Sequence, residues 1–478
     1  SPMPVNSSRA VRQLGLTLDR LFGNPRVGSV IWGVDIRSLD RDESLYSLNA
    51  RALLVPASTM KIATLAAAAE RLNWDFRYET ELLTSTPVDD GVLAGDLIIR
   101  GTGDPTINVG TRPGNNLFDQ WARELRAMGI QRIGGRIIGD DDALDGGDTD
   151  PGLGAGWSWD DLGLGFAAPA GALQHHENVV QLKLSPGPRE GMPGTVLVDD
   201  RVPGLRLVNE MMTVSQDGAL VVRLLRPPGL SALVVTGTIP AGTAPIQRTA
   251  AVDNPTIFFV RALRETLERE GIAVVGDAVD IDDLATSAHD EFQGKLRRLA
   301  AHQSVPLSAL AVDMMKRSQN LYAETVLRTL GARTGGVATS GPQVVADILA
   351  SWNIGKEQAI VADGSGLSRY NCLTAGALVQ ILRRMHADPR HATYFRATLP
   401  VAGRDGTLSG RMMGTAAEGN AQAKTGSMTQ VRTLSGYVET LDGEQLAFAI
   451  LANNFHVPPA EVVSIIDSAV DTLATFSR

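Results

Sequence analysis

Residues 58–70 read Ser-Thr-Met-Lys-Ile-Ala-Thr-Leu-Ala-Ala-Ala-Ala-Glu, and this stretch restricts the fold more than any other in the chain. Alanine is the strongest helix former, and a helix that is apolar around its whole circumference has to be enclosed by other elements. Pro56 and Ser58 provide its start signals. The fold must therefore build on several sides of a central helix that carries a lysine, Lys61, in its first turn.

The flanking segments supply candidate layers. Residues 8–22 place Val11, Leu14, Leu18, Leu21 and Phe22 on one helical face. Residues 27–36 alternate as a strand, 40–43 form a polar turn and 44–48 a second strand. After about residue 290, helical patterns recur over 307–316, 321–329, 343–352 and 374–387. Strands over 434–439 and 446–451, joined by the turn Asp442-Gly443, precede an amphipathic helix over 459–476. The apolar face of that helix (Val462, Val463, Ile466, Val470, Leu473) reads as core, because its opposite face carries Asp467 and Asp471 and nothing basic.

Residues 86 to 287 differ. They are rich in Gly, Asp and Pro, with short strand-like runs at 96–100, 136–139, 195–198, 219–225 and 232–238, and helices only near 117–127 and 255–270. Gly-Asp recurs at 95–96, 103–104, 139–140 and 276–277, first of all as turn chemistry. A chain of 478 residues exceeds one ordinary core. The expectation is a mixed α/β protein in which the first and last thirds share one sheet with helices on it, interrupted by one or two β-rich inserted domains.

Charge and composition narrow the function. A net charge of -9 with no Lys/Arg block excludes a sequence-independent nucleic-acid binder. No apolar run approaches the ~20 residues that span a bilayer. Cys372 is the single cysteine, so no intramolecular disulfide forms. The first residues, Ser-Pro-Met-Pro-Val, lack a signal peptide's charged and apolar regions; for an exported protein the expectation is that this peptide has been removed. Six of the 44 basic residues are lysine (61, 183, 295, 316, 356, 424) and 38 are arginine. A chain so biased uses lysine where arginine does not serve, and arginine cannot lose its proton near neutral pH.

Two of those lysines sit in motifs. Ser58-Thr59-Met60-Lys61 is the one SxxK in the chain. At i and i+3 on a helix the amine reaches the hydroxyl, and an apolar surround lowers a lysine's pKa enough to let it act as a base. The structural alternative is an N-cap serine followed by an exposed lysine. Lys424-Thr425-Gly426-Ser427 precedes the strand-turn-strand unit, at or near a sheet edge. One lysine and two hydroxyls suit a carboxylate, and Gly426 lets a substrate backbone come close; the alternative is a surface turn. Ser318-Gln319-Asn320 is an SxN between two helices. Ser47-Leu48-Asn49 and Ser351-Trp352-Asn353 match the same pattern, but the first lies in a strand and the second ends a helix. His175-His176-Glu177 lacks the spacing for zinc on one helical face, and no metal or cofactor is expected.

SxxK, SxN and KTG in this order are the three motifs of penicillin-binding proteins and serine β-lactamases. With Gly101–Thr106, Trp157–Asp161, Asp363–Arg369 and Gly403–Leu408, the chain resembles class C low-molecular-mass penicillin-binding proteins, the dacB-type D-Ala-D-Ala carboxypeptidase/endopeptidases, over nearly its whole length. The resemblance implies a β-lactamase-like catalytic domain over 1–85 and 288–478. It also implies two nested inserts, 86–184 with 240–287, and 185–239, which lie within the 260 positions from Ser58 to Ser318.

The resemblance further implies roles. Ser58 is the nucleophile and Lys61 its base, with Lys424 depressing the pKa of Lys61. Ser318 relays a proton to the leaving D-Ala, and Asn320 holds the peptide amide. Lys424, Thr425 and Ser427 bind the terminal carboxylate, and the N–H groups of Ser58 and Ser427 form an oxyanion hole. Asp161, Arg369, Met428 and Thr429 form a side pocket for the stem peptide's diamino acid; Arg369 has the alternative role of pairing with Asp363. The middle residue Gln319, where the family commonly has Asp, is expected to point away from the cleft. The implied partners are peptidoglycan peptides and β-lactam antibiotics, in the periplasm or elsewhere outside the cytoplasm, with homo-oligomers an open expectation. The competing readings are a β-lactamase, which needs a group to activate the deacylating water, and a non-catalytic cell-wall module.

Overall fold

The computed structural model describes residues 9–144, 152–198, 205–227, 232–284, 296–333 and 340–478. Two compact units emerge: Ser1–Phe76 with Gly154–Gly156 and Pro306–Arg478, and Arg77–Leu153 with Trp157–Val305. Lys295 and the expected boundary at 287/288 lie outside the described residues, as does the expected helix start at Ser8.

In the first unit the two ends of the chain share one antiparallel sheet. Its order is Ser44–Leu48, Ile31–Ser38, Gln445–Asn453, Val431–Glu439, Gln422–Met428. Residues 446–453 are buried throughout, because helices cover both faces of this strand. On one face Leu434 and Val438 join a core with Val462, Ile466 and Val470 of the helix Pro459–Ala474 and with Leu14 and Leu18 of the helix Arg9–Phe22. On the other, Tyr437 donates its hydroxyl to Leu382 O (2.7 Å) in the helix Ala375–Ala387. The alanine-rich segment forms the helix Met60–Leu72, buried from Met60 to Ala69 as its composition requires.

One boundary differs from the sequence reading. KTGS does not merely precede the hairpin: it lies inside the edge strand Gln422–Met428, with Lys424 opposite Ser435 and Gly426 opposite Thr433. Gln-Ala-Lys-Thr-Gly-Ser-Met has no apolar alternation, so the ladder to Val431–Glu439 creates a strand that local pattern does not announce.

The second unit is β-rich, with the helices Leu117–Ala127 and Pro255–Arg269 packed through Phe118, Trp121 and Phe259. Three of the Gly-rich turns stack. Gly135 N bonds Gly95 O (3.1 Å) and Gly276 N bonds Gly135 O (3.0 Å). The strands on either side run parallel, with Leu97 and Ala278 both opposite Ile137.

Candidate active site

Ser58 sits in the 3-10 turn Ala57–Thr59 that opens into the helix Met60–Leu72. Ala57 has φ +46°, a left-handed conformation that costs a non-glycine residue about 1–2 kcal/mol. The surroundings hold it there. Thr59 and Thr433 both donate to Pro56 O, at 2.7 and 2.9 Å. A Cβ on Gly366 (φ +86°) would lie 1.8 Å from Ala57 O, so only glycine fits beneath the turn.

Lys61 is fully buried one turn on. Its Nζ donates to Ser58 Oγ at 3.1 Å, to Asn320 Oδ1 at 2.7 Å and to Ser365 O at 2.7 Å. Burial lowers its pKa to about 7, against the raising influence of Asp363 and Glu324. The contact of the SxxK reading is thus present, and the exposed-lysine alternative is not what the fold builds.

Ser318 precedes the helix Asn320–Arg333 with φ +58°, a second strained residue at this site. Lys424, also fully buried, donates to Ser318 Oγ at 2.8 Å and to Thr425 O at 2.9 Å. Burial first, and then the charge of Lys61, holds Lys424 well below the usual lysine range.

Thr425 donates to Thr407 Oγ1 at 2.7 Å, and Ser427 is exposed beyond it. Gly426 packs against close neighbours within the protein. A Cβ there would lie 2.1 Å from Thr433 Oγ1, 2.8 Å from Pro56 O and 3.0 Å from Ser58 N. The missing side chain lets the strand close onto the nucleophile's turn.

Sequence reasoning missed one layer of the site. Glu324 lies one helical turn after Asn320 and is 3% exposed. Its carboxylate accepts from Ser365 N at 2.7 Å and from Gly364 N at 3.1 Å. Burial and the nearby Asp363 raise its pKa above the usual carboxylate range. Asp363 accepts from Gly366 N, Ser368 N and Asn371 Nδ2 at 2.5–2.8 Å, and Thr64 donates to Gly364 O at 2.8 Å. An acid flanked by Tyr322, Ala323, Thr325 and Val326 at i+4 from Asn320 was the available signal.

The remaining candidates fall into place separately. Exposed Arg369 donates to Thr429 O at 2.9 Å, which brings two of the side-pocket residues together beside Met428. Asp161 belongs to the second unit, where its N–H bonds Ser158 O at 3.0 Å. Gln319 Oε1 accepts from Leu321 N at 3.4 Å and serves the helix start. Asn353 (φ +61°) closes its helix as expected, and Asn49 holds Trp32 O at 3.0 Å. His175 stacks on Phe118 at 4.8 Å, and burial drives its pKa well down, so it is a neutral core residue.

Residues 14–475 match the D-Ala-D-Ala carboxypeptidase 3 (S13) family. A D-alanyl-D-alanine carboxypeptidase of Actinomadura sp. (strain R39) is 33% identical, over 100% of this chain and 87% of its own length. The D-alanyl-D-alanine carboxypeptidase DacB of Haemophilus influenzae is 28% identical, over 88% of this chain and 85% of its own. The crystal structure of penicillin binding protein 4 (dacB) from the same organism has a TM-score of 0.83 and 25% identity, covering 96% of this chain and 99% of that one. A buried lysine poised on a serine, in a fold and a sequence matched from end to end, makes the chain a member of the D-Ala-D-Ala carboxypeptidase 3 (S13) family.

Proposed function

We propose that the protein hydrolyses D-Ala-D-Ala peptides of peptidoglycan through an acyl-enzyme on Ser58. The observation that carries this reading is the buried contact between Lys61 Nζ and Ser58 Oγ, with a lysine pKa near 7. Half of such lysines are free amines at neutral pH, and a free amine takes the serine proton along the same contact. Ser58 Oγ then bonds to the carbonyl carbon of the penultimate D-Ala, and the amides of Ser58 and Ser427 stabilise the oxyanion. The proton passes by way of Ser318 to the departing D-Ala amine as the peptide bond breaks. Water then releases the acyl group. Asn320 holds both Lys61 and the peptide amide.

Lys424 and Thr425 receive the terminal carboxylate. That anion supplies the countercharge Lys424 lacks and raises its pKa on binding. Arg369, Met428 and Thr429 read the diamino-acid side chain. They adjoin an open groove of about 640 Å³ lined by Ser427, Met428, Thr429, Arg432 and Phe455, among others. β-Lactams acylate the same serine. Among the described residues no helix is long and apolar enough to cross a membrane, and the cell-wall substrate supports an extracytoplasmic location. The second unit has separate hydrophobic clusters around Trp121 and around Leu182 and Val235, which supports two nested inserts; the second cluster draws in Val180–Leu184 and Ala250–Phe258, so it reaches beyond the expected 185–239 on both sides.

The test is covalent labelling with tagged penicillin, together with mass spectrometry of muropeptides. The parent protein takes one label at Ser58 and releases D-Ala, and folded Ser58→Ala does neither. Labelling that persists in Ser58→Ala refutes the reading.

A further inference from the structure

Behind the lysine there is a second carboxylate layer that the reaction as written does not use. Ser365 O is one of three acceptors around Lys61 Nζ. The peptide that presents this oxygen is fastened from behind: Glu324 accepts both Gly364 N and Ser365 N, and Thr64 ties Gly364 O to the nucleophile helix. Glu324 shares its helix with Asn320, which holds Lys61 from another side at 2.7 Å. Two positions one turn apart therefore fix the lysine, one directly and one through a loop. A carboxyl group this deeply buried is expensive unless its hydrogen bonds are satisfied, and these two amides satisfy it.

We propose that Glu324 is a positioning residue of the acylation step: through the Gly364–Ser365 backbone it aims the carbonyl that holds Lys61 against Ser58, and its carboxyl group is the acid that senses the charge on that lysine. The inference rests on Lys61 being the base. The charged groups acting on the pair are Lys61 from the nucleophile helix and Asp363 from the loop, with Lys424 reached through Lys61. The helices packed against Asn320–Arg333 add Lys316, ion-paired with Asp405, and the exposed Asp313 and Asp347.

The consequence is directional. An ionised Glu324 raises the pKa of Lys61. Replacing it by neutral glutamine, which keeps an acceptor for the loop amides, lowers that pKa. The acid limb of the acylation rate moves to lower pH, by on the order of one unit for one buried neighbouring charge. Leucine removes the acceptor, frees the loop and lowers the plateau rate at least about tenfold, in line with a misplaced reacting group.

The experiment records penicillin acylation rates from pH 5 to 9 for the parent, Glu324→Gln and Glu324→Leu. Thermal melts establish that each is folded. A downward shift in Glu324→Gln with a near-parental plateau, and a lowered plateau in Glu324→Leu, is the expected pattern. An acid limb that stays put or moves upward in folded Glu324→Gln overturns the proposal. If Glu324→Leu does not fold, the Glu324→Gln profile decides alone. A parent protein that takes no label at Ser58 refutes the function instead, so the two failures are distinguishable.

Discussion

Replacing Lys61 by methionine should make the protein inactive and, at neutral pH, relieve it of a stored cost. The lysine's pKa falls from 10.5 when unfolded to about 7 when folded. That difference amounts to about 5 kcal/mol of destabilisation below pH 7, at 1.36 kcal/mol per unit. The cost fades as pH rises, because from pH 7 to 10.5 the unfolded chain still holds the proton that the native chain has lost. The parent's stability therefore climbs through this window by about 1.4 kcal/mol per pH unit from this group alone. Methionine has a similar length, no charge and no titration, but it forfeits the hydrogen bonds to Ser58, Asn320 and Ser365. Each is worth about 1 kcal/mol net, so at pH 7 the balance is a variant at or above parental stability. Denaturant unfolding of both proteins at several pH values between 6.5 and 10 measures the difference, and the titrating groups away from Lys424, Glu324 and Asp363 are common to both. The advantage of Lys61→Met over the parent should shrink steadily as pH rises. A difference that stays flat across pH 7–10 would mean that Lys61 keeps an ordinary pKa in the fold, and the argument for it as a base would collapse.

Two further outcomes follow from the packing. Gly426→Ala puts a methyl group into Thr433 Oγ1, Pro56 O and Ser58 N, and pushes the edge strand off the nucleophile's turn. Acylation should fall by about a hundredfold with a stability loss of about 1–3 kcal/mol; stopped-flow labelling at parental rate would show that the strand does not support the turn. Thr407→Val removes the hydroxyl that Thr425 bonds at 2.7 Å. KM for D-Ala-D-Ala peptides should rise about fivefold, the equivalent of one neutral hydrogen bond, with penicillin labelling still confined to Ser58; an unchanged KM would place Thr425 outside the carboxylate site.

Much of the catalytic unit was readable because local pattern and tertiary role coincide. The helices at 60–72, 307–316 and 375–387 and the strands at 431–439 and 445–453 have apolar faces that packing uses directly. The strands of the second unit were less legible. Arg297–Gln303 and Glu79–Thr84 pair with each other across more than two hundred residues, and Arg-Arg-Leu-Ala-Ala-His-Gln carries little alternation of its own. Lys61 and Lys424 stood out against 38 arginines, and Ser318 stood out through its place between two helices.

Chemistry that resides in residue types was therefore determined by the sequence alone: a serine with a lysine at i+3, a lysine-threonine pair at a sheet edge, and a helix too apolar to lie at a surface. What only the tertiary structure decided are the charge states and the supports. Burial lowers the pKa of Lys61 to about 7 and holds Lys424 well below the usual lysine range, and desolvation is a property of the surroundings, not of a motif. The roles of Glu324 behind the lysine and of Gly426 beneath the nucleophile depend on backbone atoms 40 and 368 residues away in the chain, distances over which no local pattern carries information.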